Sequence, residues 1–146
     1  MKSKLLDSTG QKTFALVFDK GDEVVGELTA FAKGERVRAA HFTAIGAFSE
    51  VTLGYFDRGR KDYKRMAIGE QVEVLSLIGD VALDDKGAPK VHAHVVVGLS
   101  DSQTRGGHLL SARVWPTLEV ILVESPAYLR KRHDPDTGLA LIDPAA

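Results

Sequence analysis

Short segments rich in β-branched and aromatic residues follow one another through most of this chain, and they constrain its fold more than any other feature. Segments of this kind at this spacing are typical of strands. They lie at Lys12–Phe18, Ala39–Phe48, Glu50–Phe56, Tyr63–Ile68, Gln71–Ile78, Val91–Leu99, Leu118–Glu124, and in a closing pair near Leu129 and at Leu139–Ile142. The sequence therefore predicts a protein in which strands dominate.

Turn residues separate several of these segments. Asp57–Arg60, Asp84–Gly87 and Asp134–Gly138 contain the Asp, Pro and Gly residues that tight turns require. Strands joined by tight turns run antiparallel, so neighbouring segments are predicted to form hairpins. The sheet is therefore expected to be largely antiparallel.

One segment near the start has helical periodicity instead. Val24, Leu28 and Phe31 recur at i, i+4 and i+7, which lays an apolar stripe along one side of a helix. Asp22 is the predicted N-cap, and the helix is expected to end near Lys33-Gly34. The predicted fold class is α+β: a strongly twisted, largely antiparallel mixed sheet with one main early helix packed on it.

Length and charge limit the function classes. The chain has 146 residues, which suits a single domain over 1–146, and no internal repeat or linker divides it. Its formal net charge is -1, so no overall positive field draws it toward nucleic acid. Any contact with DNA would need a local basic patch.

Cysteine is absent, which excludes disulfides, thiolate nucleophiles and cysteine-based metal ligation. The N-terminal residues include Lys2 and Lys4 but lack the apolar region of a signal peptide. No apolar run approaches the roughly 20 residues that span a bilayer. We therefore expect a cytoplasmic protein with no membrane contact.

Two histidines fall on one predicted strand. His92 and His94 are separated by one residue, so they share a face, with Cα atoms roughly 6.5 Å apart. Val91, Ala93 and Val95 alternate with them and are expected to form the buried face. The histidines are thus predicted to face a cleft, a subunit interface or solvent.

His108 follows Gly106-Gly107, two residues that let a chain fold back and bring a third imidazole near the first two. These three residues, His92, His94 and His108, are called the histidine trio below. Three imidazoles suit a divalent metal, zinc being the common choice, with an open fourth position as in catalytic sites. Nickel, cobalt, copper and iron stay open, and so does a role as surface or interface histidines without metal.

Two further histidines are weaker candidates. His41 lies among small and aromatic residues and is expected to be a core or interface histidine. His133 belongs to a charged turn. Neither is predicted to bind metal.

Several motifs together carry a resemblance to a known family: the early helix, Ala44–Phe48, Gln71–Gly79, His92–His94 with Leu99–Asp101, and Gly106–Leu109. Over nearly the whole chain they resemble the plants-and-prokaryotes-conserved (PPC) domain family. The resemblance implies an α+β sandwich-like sheet and a homotrimer, since members of that family look like homotrimers. The fold also resembles that of acetolactate decarboxylase, a zinc enzyme with three histidine ligands.

The resemblance implies that the histidine trio binds a divalent metal, because prokaryotic members with these histidines resemble metal-binding proteins. Plant members usually lack the histidines and are fused to AT-hook segments that bind DNA. This chain has no AT-hook motif, and Glu70-Gln71-Val72 replaces the more usual Gly-Arg-Phe. The first departure weakens a DNA-binding interpretation. Whether the protein is an enzyme stays open.

Two other groups are candidate binding residues. Arg58, Arg60 and Lys61, which we call the basic tip, lie on a predicted hairpin and are candidates for contact with DNA. An ordinary solvated turn is the competing interpretation. Arg113 is the cation expected near the histidines, where it would hold the carboxylate of a small carbonyl or carboxylate ligand, although an interfacial salt bridge would also explain it.

Overall fold

The computed structural model describes residues 1–125 and 130–144. The strand predicted near Leu129 therefore lies outside the described residues. Within them the chain forms β1 (Lys2–Asp7), β2 (Thr13–Phe18), α1 (Val24–Gly34), β3 (Ala39–Asp57), β4 (Asp62–Ile68), β5 (Val72–Leu83), β6 (Pro89–Gly98), β7 (Thr104–Glu124), β8 (Lys131–His133) and β9 (Ala140–Ile142).

Seven strands form one sheet in the order β1-β2-β7-β6-β5-β3-β4, and every ladder in it is antiparallel. β7 also pairs with β3, so that β3, β5, β6 and β7 close into a ring. β8 and β9 form a separate two-stranded sheet. The α+β fold class predicted from the sequence is confirmed.

Two strands are much longer than predicted. The segments Ala39–Phe48 and Glu50–Phe56 are one strand, β3, whose pairing with β7 shifts register between Phe48 and Glu50. β7 begins at Thr104 rather than Leu118. Gly and Pro commonly interrupt strands, and β7 contains both types. β1 was not predicted at all, because its side chains are all exposed and its sequence lacks an apolar face.

The helix packs as predicted but begins differently. Glu23, not Asp22, is the N-cap: its carboxylate accepts hydrogen bonds from the backbone N–H of Val25 and Gly26, at 3.3 and 2.6 Å. Asp22 instead accepts one from the backbone N–H of Asp19. The apolar stripe of the helix is buried, and the helix contacts β6 and β7. Burying each such side chain contributes about 1.5–3 kcal/mol.

The alternation along β6 separates core from site. Ala93, Val95 and Val97 are buried, while His92 and His94 are exposed on the opposite face, as predicted. The buried face of β6 lies in the same core as the helix. Among the described residues, no helix has the length and apolar character needed to cross a membrane.

Candidate metal centre

His94 and His108 lie directly opposite each other on neighbouring antiparallel strands. β6 pairs with β7 from His94↔His108 to Gly98↔Thr104, and the chain reverses between these strands at residues 99–103. The expectation that Gly106-Gly107 folds the chain back is wrong, because both glycines lie inside β7. Strand pairing itself brings His108 to the other two histidines.

Close approach of the backbones explains the glycine beside His108. A Cβ atom at Gly107 would lie 2.8 Å from the carbonyl oxygen of Gly54 on β3, a contact that real Cβ atoms essentially never make. A Cβ atom at Gly106 would lie 3.3 Å from the carbonyl oxygen of Val95. Glycine at position 107 therefore lets β7 lie against β3 at the residue that precedes His108.

The histidine trio converges within one chain. Each side chain offers a ring nitrogen, and these three atoms lie within 4.8 Å of one another. The ring centroids are 5.1 to 5.3 Å apart. His92 and His94 are exposed and His108 is half-buried. The sequence thus predicted which imidazoles meet, and their role as metal ligands stays a prediction.

Asp80 on β5 contacts one member of the trio and a buried lysine. One of its carboxylate oxygens lies 3.2 Å from Nδ1 of His92. The other lies 2.7 Å from Nζ of Lys131, whose side chain is only 3% exposed. A carboxylate on one ring nitrogen fixes the orientation of a histidine and leaves Nε2 for a metal, the arrangement common behind metal-ligating histidines.

The electrostatics of the site keep two imidazoles neutral. Burial, with smaller contributions from His92, His94 and Lys131, lowers the pKa of His108 to about 4. Burial and then the neighbouring His92 lower the pKa of His94. Burial raises the pKa of Asp80, but its bonds to His92 and Lys131 outweigh that effect and leave the pKa lowered. Neutral imidazole is the form that binds metal.

One buried ring nitrogen of the trio has no hydrogen-bond partner among the described residues. Nδ1 of His108 is buried and makes no hydrogen bond there. A buried polar atom without a partner costs about 1–3 kcal/mol, so such atoms call for an explanation. Three converging imidazoles, one of them held by a carboxylate and one with this unsatisfied nitrogen, fit a divalent metal of the zinc type.

A cavity of about 340 Å³ opens over the trio. Tyr63 on β4 lies at its side and stacks on the His108 ring, with centroids 4.5 Å apart; burial raises the pKa of its phenol. The β8–β9 hairpin lines the cavity with residues that the sequence did not predict as site residues, namely Lys131, Leu139, Ala140 and Leu141. Asp80, Tyr63 and Lys131 are thus site residues that sequence reasoning missed.

The model of the Plants and Prokaryotes Conserved (PCC) domain matches residues 6–126. The chain belongs to this family. The PCC family is the one that the sequence motifs resemble, so that prediction is confirmed.

Solved structures of similar proteins share the whole PCC fold. A plant- and prokaryote-conserved protein from Pyrococcus horikoshii is 30% identical, with a TM-score of 0.85 over 94% of this chain and 97% of the other. A metal-containing protein from Archaeoglobus fulgidus is 35% identical, with a TM-score of 0.84 over 96% and 99%. A protein from Ralstonia eutropha named “putative DNA-binding protein” is 31% identical, with a TM-score of 0.82 over 89% and 90%.

The PCC domain is also similar to one solved structure of low sequence identity and to part of a longer curated protein. Acetolactate decarboxylase from Bacillus subtilis is 12% identical, with a TM-score of 0.58 over 86% of this chain and 58% of the other, so the two share the fold alone. The bifunctional protein GlmU of a Synechococcus strain is 31% identical over 130 residues. The chain spans about a fifth of the length of that curated relative, 19%.

Arg113 does not lie beside the trio in this PCC domain, so the expectation that it does is wrong. It pairs with Glu50 across β3 and β7, and its Nε lies 3.5 Å from Oε1 of that residue. Its guanidinium also donates to the carbonyl oxygen of Gly21 at 3.1 Å. His108 is five residues away along β7, which is roughly 17 Å in a strand. Among the described residues, the cations that line the cavity over the trio are Lys90 and Lys131.

The basic tip lies where predicted, in the turn between β3 and β4 of the PCC domain, and all three side chains are exposed. Asp57 organises this turn by accepting hydrogen bonds from the backbone N–H of Gly59 and Arg60. His41 is exposed on β3, so of its two expected places the core is wrong, and a place in an interface stays a prediction. His133 is exposed on β8, next to the charged turn.

Proposed function

We propose that this chain is a metal-binding PCC-domain protein whose histidine trio holds one divalent cation, with zinc as the expected metal. The observation that carries the proposal is the convergence of three ring nitrogens to within 4.8 Å of one another. The unsatisfied Nδ1 of His108 and the carboxylate behind His92 support it. A relative of 35% identity is a metal-containing protein.

A divalent metal held here would act as a Lewis acid, able to polarise the oxygen of a bound carbonyl or carboxylate. The chain's own residues prepare the site for such a ligand. Asp80 orients His92, and Tyr63 stacks on His108 and limits its rotation. The lowered pKa values of His94 and His108 keep these imidazoles unprotonated near neutral pH. Catalysis on a small carbonyl compound would use this geometry.

Elemental mass spectrometry on untagged protein purified without chelator tests the proposal. We expect near one metal per chain, and loss of that metal in the His92→Ala/His94→Ala variant. The His41→Ala/His133→Ala variant is the matched control, since it removes two exposed histidines outside the trio and should retain the metal. Retained metal in the first variant, or no metal after reconstitution with zinc, would contradict the proposal.

We further propose a homotrimer in which an exposed apolar surface is buried between copies. This surface, called the apolar face, consists of Ile45, Leu75, Ile78 and Ile121, which are between 46% and 61% exposed. Clustered apolar exposure of this kind marks an interaction surface. Ile78 pairs with His94 across β5 and β6, so the face continues directly into the trio. A subunit boundary would therefore run beside the metal.

A second candidate function is association with DNA. The observation that favours it is the exposed basic tip, together with the relative of 31% identity named for DNA binding. The absence of net positive charge limits the expected affinity, because phosphate neutralisation supplies most non-specific binding. Binding would then depend on several copies of the tip in one assembly.

A mobility-shift assay on A·T-rich duplex at low salt tests this second function. We expect a salt-sensitive complex that weakens when Arg58, Arg60 and Lys61 are changed to Gln. A variant with Lys33, Arg36 and Lys86 changed to Gln removes the same charge elsewhere and should bind like the wild type. If micromolar protein forms no complex, or if both variants weaken equally, the basic tip is not a DNA-binding site.

A further inference from the structure

The cavity over the histidine trio is lined by positively charged side chains and by no negatively charged one among the described residues. Two lysines, Lys90 and Lys131, line it together with Tyr63, and among the described residues that line it there is no carboxylate. Asp80 lies behind the wall and neutralises Lys131 through their 2.7 Å contact. The cavity therefore faces a ligand with cationic and neutral groups only.

A bound divalent metal would increase the excess of positive charge in the cavity. Imidazole binds a metal in its neutral form, so the trio would not offset a divalent charge. Lys90 adds a further positive charge at the mouth of the cavity. Asp84 in the β5–β6 turn interacts electrostatically with Lys90, but it lies outside the cavity lining and accepts hydrogen bonds from the backbone N–H of Lys86 and Ala88. Uncompensated positive charge in a cavity attracts an anion.

Another part of the lining of the same cavity is apolar. Leu139, Ala140 and Leu141, which we call the apolar wall, come from the β8–β9 hairpin and lie over the trio. The volume of about 340 Å³ lies at the lower end of the range for small-molecule sites. A ligand that fills it is small, with one anionic end and one aliphatic end.

We infer that this cavity binds a short aliphatic carboxylate, with its carboxylate on the side of Lys90 and the trio and its aliphatic part against the apolar wall. The inference rests on the proposed metal site, because the metal supplies most of the positive charge. An inorganic anion such as phosphate is also negatively charged, but it has no aliphatic part to pack against the apolar wall. This difference separates a carboxylate site from a general anion site.

Titration of zinc-loaded and metal-free protein with butyrate, followed by the methyl NMR signals of Leu139 and Leu141, tests the inference. We expect butyrate to shift these signals in the zinc-loaded protein and to bind about fourfold more tightly for each methylene added between acetate and butyrate, the value of one buried CH₂. Butanamide, which is isosteric and neutral, should not bind. Inorganic phosphate should bind more weakly than butyrate and leave the Leu139 and Leu141 signals unmoved.

Two variants test whether Lys90 supplies positive charge for the carboxylate. Lys90→Gln is expected to weaken butyrate about three- to fivefold, as for an exposed charge pair. Lys86→Gln carries the same charge change four residues earlier, outside the cavity wall, and should bind butyrate like the wild type.

The outcomes distinguish the two proposals. Equal binding of butanamide, phosphate as tight as butyrate, or no shift at the apolar wall in protein that contains its metal would overturn the carboxylate site and leave the metal site standing. Absence of metal at the trio, with butyrate still sensitive to Lys90→Gln, would overturn the metal site and support the carboxylate site on its lysines. Absence of both would overturn both.

Discussion

One carboxylate oxygen of Asp80 lies 3.2 Å from Nδ1 of His92, on the strand that pairs with β6. The bond holds the imidazole in one orientation and one tautomer, with Nδ1 protonated. The same carboxylate also holds Lys131 on the hairpin that covers the cavity. Asp80 therefore joins a candidate metal ligand to the roof of its pocket.

Asp80→Asn is predicted to lower zinc affinity about 10- to 100-fold, because loss of a carboxylate behind a ligating histidine has this effect in metal sites. Chelator competition measures the affinity, and thermal unfolding of metal-free protein measures stability separately. Asp85→Asn, in the exposed β5–β6 turn, is the control and should change neither. Unchanged zinc affinity in Asp80→Asn would show that the bond to His92 does not support metal binding.

The metal-free protein is predicted to lose stability as the pH falls from 6.5 toward 4. The unfolded chain protonates His108 near its ordinary pKa of 6.5, whereas burial and neighbouring positive charge hold the folded value at about 4. Between these values the unfolded state binds more protons, so the free energy of unfolding decreases on acidification. Above pH 6.5 both states are neutral at His108 and this loss is absent.

Urea unfolding of metal-free wild type and His108→Asn over this pH range tests whether the free energy of unfolding decreases on acidification. The wild type should lose more stability on acidification than the variant, since the variant has no imidazole at this position. Parallel curves for the two proteins would mean that the pKa of His108 is not lowered in the folded state.

Gly107→Ala is predicted to destabilise the protein by about 1–3 kcal/mol, the usual cost of inserting an atom into a packed region. The new Cβ would lie 2.8 Å from the carbonyl oxygen of Gly54, so β7 must move away from β3 beside His108. Denaturant unfolding measures the loss, and zinc binding should weaken with it. Gly106→Ala is the neighbouring control, with a milder expected effect; equal effects would contradict the explanation.

Ile45→Glu is predicted to dissociate the proposed trimer into folded monomers, because it places a charge in the apolar face. Light scattering after gel filtration gives the mass, and circular dichroism confirms folding. Leu6→Glu, at an exposed leucine of β1, is the control and should remain assembled. A folded variant of unchanged mass would show that Ile45 lies outside the interface.

Local patterns predicted much of this fold. The apolar stripe from Val24 to Phe31 marked the helix, and alternation along β6 marked which face carries His92 and His94. The long strands escaped prediction because Gly106-Gly107 and Pro116 are common strand breakers. Pairing with β6 keeps Gly106 and Gly107 inside β7. At Pro116 the pairing of β7 with β3 shifts register, and the strand continues to Glu124.

The site was predicted only in part, because some of its residues give a local sequence signal and others do not. The spacing of His92 and His94 is a local signal, whereas Tyr63 and Lys131 reach the trio from strands whose position no short pattern encodes. Asp80 is an intermediate case. It pairs with His92 across the hairpin closed by the Asp84–Gly87 turn, so counting back from the predicted turn would have found it.

The ring formed by β3, β5, β6 and β7 combines pairings between near and distant parts of the chain. The trio comes from β6 and β7, two strands joined by a short turn, so its ring nitrogens meet through a hairpin with a small loop-closure entropy. Closing the ring instead pairs residue 40 with residue 124 and residue 54 with residue 108, which costs more entropy and slows folding. We therefore expect the candidate ligands on β6 and β7 to come together in an early local step, and β3 to pair with β7 later.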